Sequence, residues 1–334
     1  MNVFTEWHHG ALFHSQQLLW EKRMGGQLFG PVGYEWEREH IWNYSKNPET
    51  IKQYLNPDLC EKRDDGFSYY WDKGEQIWQR RITLEQFRQM KIDVVLCTLA
   101  EHEESFLQLR NKDQPNAKYV RLSGNTGEQI NWSLISNFID TTGLYQPPPD
   151  VHAIKMGQEF PTETFYYSPP ENQRTILNLM NCLKEADAYQ VWLFLKNNLP
   201  EYKFLMHGAL GDDGMIDGLK AIGEIIRSCA FLFQIKHHGE GWGHIIHNAY
   251  ACGRPAIVVM EYYEGKLASR MMIDGISAIV IDNLEPAEVV KKIRYYSDPV
   301  RHLAMCKAAR AKFEEFVDFD RDFLCFKKWA ENLQ

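Results

Sequence analysis

Short apolar runs alternate with longer stretches of helical period along most of the chain. A strand is predicted over 1–7 (MNVFTEW), followed by a helix over 11–24, where Leu12 and Leu19, and Phe13 and Trp20, recur at seven-residue spacing. Gly25-Gly26 ends that helix, and QLFGPVG reads as a second strand with its turn. Residues 34–81 break the alternation. They carry Trp36, Trp42, Tyr44, Tyr54, Phe67, Tyr69, Tyr70, Trp71 and Trp78 among many charges, and read as an insertion with short helices. Alternation resumes at Thr83, where Thr83-Leu-Glu-Gln86 has the form of a capping box. Strands are expected at 92–97, 118–122 and 137–141, and the stiff Gln146-Pro-Pro-Pro-Asp150 marks the approach to a domain boundary. The second half predicts a strand at 165–168, helices at 172–183 and 186–197, a strand at 202–207 and a helix at 217–227. A strand at 230–235, a helix at 244–252, strands at 256–260 and 277–282, and helices from 286 and 299 complete it.

Strands that alternate with helices imply an α/β fold, with parallel sheets covered on both faces. A chain of 334 residues exceeds what one core usually serves, so two domains are expected, 1–155 and 156–334, with the C-terminal helix a candidate to pack back on the first. Two such sheets in tandem would leave a cleft at the carboxyl ends of their strands. The net charge of -8, without a Lys/Arg stripe, disfavours a partner held through nucleic-acid phosphates. Seven cysteines, an odd number without a CxxC pair and partly inside apolar runs, read as reduced thiols of a cytoplasmic protein. Neither a leader-like segment nor a membrane-spanning apolar run is visible.

The chemistry concentrates in Lys236-His-His-Gly239-Glu240-Gly241-Trp242-Gly243-His244-Ile-Ile-His247-Asn248-Ala-Tyr-Ala-Cys-Gly253-Arg-Pro255. Its order is strand, glycine-rich loop, helix, then Gly-Arg-Pro before another strand. Gly239, Gly241 and Gly243 let backbone approach a ligand closely, and the helix that follows aims free N–H groups and a positive dipole end at that point. His244 and Asn248 share one helix face, and Ile245, Ala249 and Cys252 are expected to face the sheet.

This segment resembles the donor-binding motif E-G-F-G-x-x-x-x-E-A-x-A-x-G-x-P of retaining GT-B glycosyltransferases. Glu240, Gly241, Trp242 and Gly243 match its first part, and Ala249, Ala251, Gly253 and Pro255 its second. The family's second Glu falls on Asn248, an acceptor without charge. The resemblance extends more weakly over about 150–330, through HAIKMGQEF (152–160), FLMHGALGDDG (204–214) and the stretch from Tyr263-Glu264-Gly265 to Asp274-Gly275. It implies two Rossmann-like domains facing across a cleft, the second holding a nucleoside diphosphate sugar such as a UDP-sugar, the first an acceptor. It implies transfer without a metal cofactor, and retention.

On that reading Glu240 and His9 are the candidate catalytic residues. Gly239, Gly241, Trp242, Gly243, His244, Asn248, Lys155 and Arg174 are candidates for the donor. His8, Gly10, His102, Tyr70 and Trp71 are candidates for the acceptor, the first two from the turn after the first strand and the last two from the aromatic insertion. Glu101, Glu103 and Glu104, and the stretch Asn125–Glu128, also follow strand ends. The acceptor could be a saccharide, a small molecule or a modified DNA base. Other readings are a sugar-nucleotide epimerase, a non-catalytic donor-binding protein, and a metallohydrolase using His237, His238, Glu240, His244 and His247.

Overall fold

The computed structural model describes residues 1–6, 9–39, 54–236 and 240–334. They form two units, one of Met1–Phe160 with Phe319–Gln334 and one of Pro161–Asp318. Unit 1 is built on strands β1 (Asn2–Thr5), β2 (Gln27–Pro31), β3 (Cys60–Lys62), β4 (Ser68–Asp72), β5 (Ile77–Ile82), β6 (Val94–Cys97), β7 (Lys118–Ser123), β8 (Asn137–Asp140) and β9 (His152–Lys155). They lie in the order β3-β4-β5-β2-β1-β6-β7-β8-β9. The pairings β2–β1–β6–β7–β8–β9 are parallel. Helix α1 (Gly10–Gln17) runs on as a π-helical stretch, Leu18–Arg23, before β2. Helices α2 (Leu84–Gln89) and α3 (Glu103–Asp113) follow. The capping box at Thr83 forms, with Thr83 Oγ1 accepting from the Gln86 amide and Gln86 Oε1 from the Thr83 amide.

Successive strand residues point to opposite faces, and both faces of this sheet are apolar. Phe4, Phe29, Val95, Cys97 and Phe138 pack with Trp36, Phe87 and Phe106 on one side. Val3, Leu28, Val94, Leu96 and Ile139 pack with Leu12, Phe13 and Trp20 on the other. Phe326, Trp329 and Ala330 of the C-terminal helix (Phe319–Ala330) complete this second layer, so residues 319–334 belong to unit 1 rather than closing the second domain.

The described part of residues 34–81 holds short helical segments, as expected, and also strands that were not. Beyond the 3-10 turns at Tyr34–Glu39 and Pro57–Leu59 and the helical residues 54–55, the described residues form the antiparallel ribbon β3–β4–β5, joined to the sheet through β5 and β2. The period of two explains it: Tyr69 and Trp71 share one face with Trp78 and Arg80, while Tyr70 and Asp72 share the other with Gln79 and Arg81. Trp42 and Tyr44 lie outside the described residues.

Unit 2 holds β10 (Thr175–Asn178), β11 (Lys203–Met206), β12 (Phe231–Phe233), β13 (Ala256–Val258) and β14 (Ala278–Val280), all parallel in the order β11-β10-β12-β13-β14. Its helices are α4 (Ala188–Asn198), α5 (Leu219–Ser228), α6 (His244–Ala251), α7 (Pro286–Tyr296) and α8 (Pro299–Phe316). The strand expected at 165–168 is absent, and the helix expected over 172–183 is instead β10 followed by a 3-10 turn, Leu183–Glu185. Ile176 and Leu177 are fully buried, between β11 and β12. A strand covered on both faces gives a continuous apolar run, which periodicity does not separate from a buried helix. Among the described residues no helix is long and apolar enough to cross a membrane. The cysteines are all free, and Cys182 and Cys325 are exposed rather than buried.

Candidate functional site

The chain of unit 2 leaves β10 for β11 on one side and then crosses to β12 on the other, so the strand order reverses between β10 and β12. Open α/β sheets bind ligands beside such a point, at the carboxyl ends of the strands. Asn178 fastens the two ends together: its Nδ2 donates to the Phe233 carbonyl at 3.0 Å. Directly after β12 come Gln234 and Lys236, then Glu240; Gly239, His237 and His238 lie outside the described residues.

Glu240 is 6% exposed. Its Oε2 accepts from Gln234 Nε2 at 3.4 Å and lies 3.4 Å from Lys236 Nζ. Gly243, which has no side chain to cap with, is the N-cap of α6 in the left-handed region, φ 78° and ψ 57°. A Cβ there would stand 3.1 Å from Glu240 Oε1, so backbone angle and close approach both call for glycine. Lys266, which sequence reasoning passed over, is buried beside this carboxylate, with Nζ 5.1 Å from the centre of the Tyr263 ring. Burial lowers its pKa, and Glu240 opposes that shift. Gly241 and Trp242 are buried in the same turn, and His244 opens α6 half-buried.

Among the described residues of this segment, three buried polar atoms have no hydrogen-bond partner: Gln234 Oε1, Trp242 Nε1 and Asn248 Oδ1. A buried polar atom left unpaired costs about 1–3 kcal/mol, so each is an exception that calls for a reason. Together they offer two acceptors and one donor beside a helix start, a carboxylate and two ammonium groups.

His247 does not join them. Its ring stacks under Trp242 with centroids 3.5 Å apart, and Nδ1 donates to the Gly243 carbonyl at 3.0 Å. Burial pushes its pKa down to about 3, so it is neutral. Among the described residues no group of three His, Cys, Asp or Glu side chains is arranged to hold a metal ion. The second part of the motif packs. Gly253 has φ +69°, and a Cβ there would meet the Tyr167 ring at 2.4 Å. Arg254, fully buried, donates to the carbonyls of Ser168, Arg227 and Cys252. Ile246, not Ile245, takes the fully buried position of the first turn, with Ala249 and Cys252 as expected.

Two donor candidates lie elsewhere. Arg174 precedes β10 at its amino end, its carbonyl bonded to the Lys203 amide. A strand of that length sets it roughly 13 Å from the carboxyl end where Glu240 lies. The misplacement follows from reading 172–183 as a helix. Lys155 is on β9 of unit 1, where Nζ donates to the Gly143 carbonyl at 3.2 Å and lies 3.9 Å from Asp140 Oδ2.

In unit 1 the strand order reverses between β1 and β6. His8 lies outside the described residues, and His9 is the exposed N-cap of α1. Gly10 gives room to the insertion: a Cβ there would stand 2.9 Å from Asp72 Oδ2 and 3.0 Å from Glu75 Cγ. Glu75 also meets His14 Nδ1 at 3.1 Å. The pleat therefore separates two acceptor candidates, Tyr70 sharing a face with Asp72, and Trp71 pairing on the opposite face with Trp78 at 5.2 Å. His102 is buried, stacked on Phe106, its pKa lowered by burial to about 4. Glu103 and Glu128 both converge on the buried Arg121, at 3.4 Å and 2.6 Å, while Glu101 is exposed.

A residue without a sequence signature is Glu6, 2% exposed at the carboxyl end of β1. Its Oε1 accepts from Thr98 N at 2.6 Å, Thr98 Oγ1 at 2.9 Å and Leu99 N at 2.9 Å. Among the described residues, its Oε2 and the neighbouring Thr5 Oγ1 are buried without hydrogen-bond partners.

No protein-family model matches the chain, and no curated protein sequence matches it. Solved structures do. HepE from Anabaena, in complex with UDP and glucose, superposes with a TM-score of 0.67 at 10% identity, covering 99% of each chain. Sucrose-phosphate synthase from Thermosynechococcus elongatus gives 0.67 at 11% identity, covering 100% of this chain and 99% of the other. The pneumococcal O-GlcNAc transferase GtfA, in complex with UDP and GlcNAc, gives 0.60 at 11% identity, with 100% and 99% covered. Agreement along the whole of both chains, with a parallel Rossmann-like sheet in each unit, gives this protein the GT-B fold.

Proposed function

We propose that the chain is a glycosyltransferase that moves a sugar from a UDP-sugar to an acceptor hydroxyl, with unit 2 binding the donor and unit 1 the acceptor. The observation that carries this reading is the set of unpartnered buried atoms, Gln234 Oε1, Trp242 Nε1 and Asn248 Oδ1, gathered with Glu240, Lys236 and Lys266 at the strand ends of unit 2. Acceptors and a donor on buried side chains suit sugar and ribose hydroxyls. In the reaction the bond between the anomeric carbon and the diphosphate oxygen breaks, the acceptor oxygen bonds that carbon, and the hydroxyl proton is released. Charge then builds on the diphosphate. The amino end of α6 and the two lysines are positive groups suited to stabilise it, which makes the reading metal-independent. UDP is the nucleotide because HepE and GtfA bind it on the same fold. Retention rests on the match of residues 240–255 to the retaining type of motif.

The test is calorimetric titration with UDP, GDP and ADP, with and without EDTA, followed by turnover of UDP-sugars. UDP is expected to bind in both buffers, and proton NMR of the product to show the donor's anomeric configuration. Glu240→Gln removes one charged hydrogen bond, about 1.5–3 kcal/mol, and should lower turnover on the order of ten- to a hundredfold with little change in melting temperature. A chain that binds none of the nucleotides, or a variant with unaltered kinetics, defeats the proposal.

A further inference from the structure

The ribbon β3–β4–β5 has two unlike faces. One, with Tyr70, Asp72 and Gln79, turns toward α1, where a Cβ on Gly10 would stand 2.9 Å from Asp72 Oδ2. The other carries Tyr69 and Trp71 opposite Arg80 and Trp78. Nearer the sheet this second face is covered: Phe67 meets Phe29 at 5.2 Å and packs against the layer of Trp36 and Phe87. Toward the turn at 73–76, Trp71 and Trp78 stay 38% and 37% exposed. We propose that this second face is a saccharide-binding platform, on which Trp71 and Trp78 stack against pyranose units of a neutral oligosaccharide. The saccharide's role as acceptor rests on the transferase reading; the platform itself rests on unit 1 alone.

The rings are held in place by the ribbon itself. Tyr69 is buried, its hydroxyl donating to Asp65 Oδ2 at 2.5 Å and accepting from Arg80 Nε at 3.0 Å. The Arg63 guanidinium lies over the Tyr69 ring at 4.0 Å and over the Trp78 ring at 4.6 Å. Its Nε donates to Glu61 Oε1 at 3.1 Å. Trp71 in turn meets Trp78 at 5.2 Å, the two rings inclined by 53°. Exposed cation–π contacts contribute about 0.5–1 kcal/mol each, and they fix the indole against its neighbours. A ligand that stacks on rings already fixed loses little affinity to side-chain ordering.

Size and charge select the occupant. A tryptophan side chain presents up to about 250 Å², so each ring leaves roughly 90 Å² open. The pair falls well short of the roughly 800 Å² a side that a stable protein interface buries. A small flat ring is covered by such an area. Lys62, Arg63 and Lys73 stand against Glu61, Asp64 and Asp65 on the ribbon, so no excess of one sign selects a polyion or a phosphate backbone. A pyranose brings slightly positive C–H groups to the negative face of an indole. For its hydroxyls the indole N–H groups are donors, and the Glu61–Arg63 pair supplies an acceptor and a donor. Because the two indoles are inclined, they suit adjoining units of an amylose-type chain, which turns from one unit to the next.

The probe is maltohexaose, with oligothymidylate as the polyanionic control, titrated into the intact chain and followed by saturation-transfer difference NMR. Maltohexaose should bind wild type and Glu240→Gln alike. Trp71→Ala and Trp78→Ala should each lower its affinity about tenfold, the loss of one stacked ring, and the double variant should abolish the signal. Trp71→Phe, which keeps a ring, should lose less than Trp71→Ala. All of these ribbon variants should bind UDP as wild type does, which shows that they are folded. No maltohexaose signal in wild type, an unaltered signal in the double variant, or tighter binding of oligothymidylate overturns the platform. So does a wild-type dimer in sedimentation velocity that the double variant dissociates, since a second copy would then cover the rings. Calorimetry with UDP keeps the two readings apart. Loss of UDP binding in wild type removes the transferase and leaves the platform standing, whereas normal UDP binding with no maltohexaose signal does the reverse.

Discussion

Asn248 and Glu6 are buried polar residues, each with a side-chain oxygen that has no hydrogen-bond partner among the described residues, and each gives a stability test that an ordinary packing residue would fail. Truncating a well-packed buried side chain destabilises, but truncating an unpaired polar one also removes a desolvation burden. Asn248→Ala should therefore leave the melting temperature nearly unchanged while weakening UDP binding about tenfold, and Asn248→Glu should preserve or improve binding; calorimetry with UDP reads both. For Glu6 the linkage has a definite sign. Its folded pKa, about 7, lies above the ordinary 4.5, so the folded chain holds a proton that the unfolded chain releases. Wild-type stability should then fall as pH rises from about 4.5 to 7, by on the order of 3 kcal/mol from this residue. Glu6→Gln should remove that slope in denaturant titrations across the range. His247 acts oppositely: held neutral with a pKa near 3, it favours the fold above pH 6.5 and opposes it as pH falls. The glycine frame made Glu240 and Asn248 legible in the sequence. Glu6, Gln234 and Lys266 were not, because no spacing marks them; what singles them out is burial combined with missing or charged partners, which only the fold creates.

At the level of elements, legibility followed the strength of the local signal. Thr83 to Gln86 and the glycine loop before α6 are short-range patterns that act where they are written, and both formed. β10 depends on partners far away in the chain, since β11 and β12 pair with its two edges, and the same Ile-Leu run would serve a helix core. The ribbon β3–β4–β5 was obscured by charge: Arg80 and Arg81 sit on opposite faces, Arg80 with Glu21 and Tyr69, Arg81 fully buried against the Pro31 carbonyl and Gln79. Trp71 and Trp78 are directly opposite across this ribbon and 38% and 37% exposed. A half-exposed aromatic pair contributes about 0.5–1.5 kcal/mol beyond its buried area. Trp71→Ala should accordingly lower stability by that amount together with the part-buried area of the ring, and by less than the roughly 3–5 kcal/mol of a core aromatic, in a urea titration. The remaining surface of the pair is then available to an acceptor, and a rise in acceptor KM without a change in UDP affinity would place it there.

On the scale of the whole molecule, the chain visits unit 1, builds unit 2, and returns for its last helix. The return is written in residues 319–334, whose aromatics join the core of unit 1: Phe326 meets Trp20 edge-on at 4.8 Å, and the Trp329 ring stacks on His152 at 5.4 Å. Trp329 also exchanges hydrogen bonds with the same residue, Nε1 donating to the His152 carbonyl at 3.1 Å and its own carbonyl lying 2.9 Å from His152 Nε2. At the chain end, the Gln334 amide donates to Asn137 Oδ1 and the Gln334 carbonyl accepts from Asn137 Nδ2. This helix therefore belongs to the stability of unit 1 and to no residue of the proposed donor site. Trp329→Ala removes an aromatic that is 5% exposed, together with its indole hydrogen bond, and should destabilise unit 1 by roughly 3–5 kcal/mol. Differential scanning calorimetry should show the loss in one transition only, and UDP, which binds unit 2 on this reading, should still raise the other. If instead both transitions fell together, or UDP ceased to bind, the last helix would be supporting unit 2 as well, and the assignment of donor binding to unit 2 alone would have to be withdrawn.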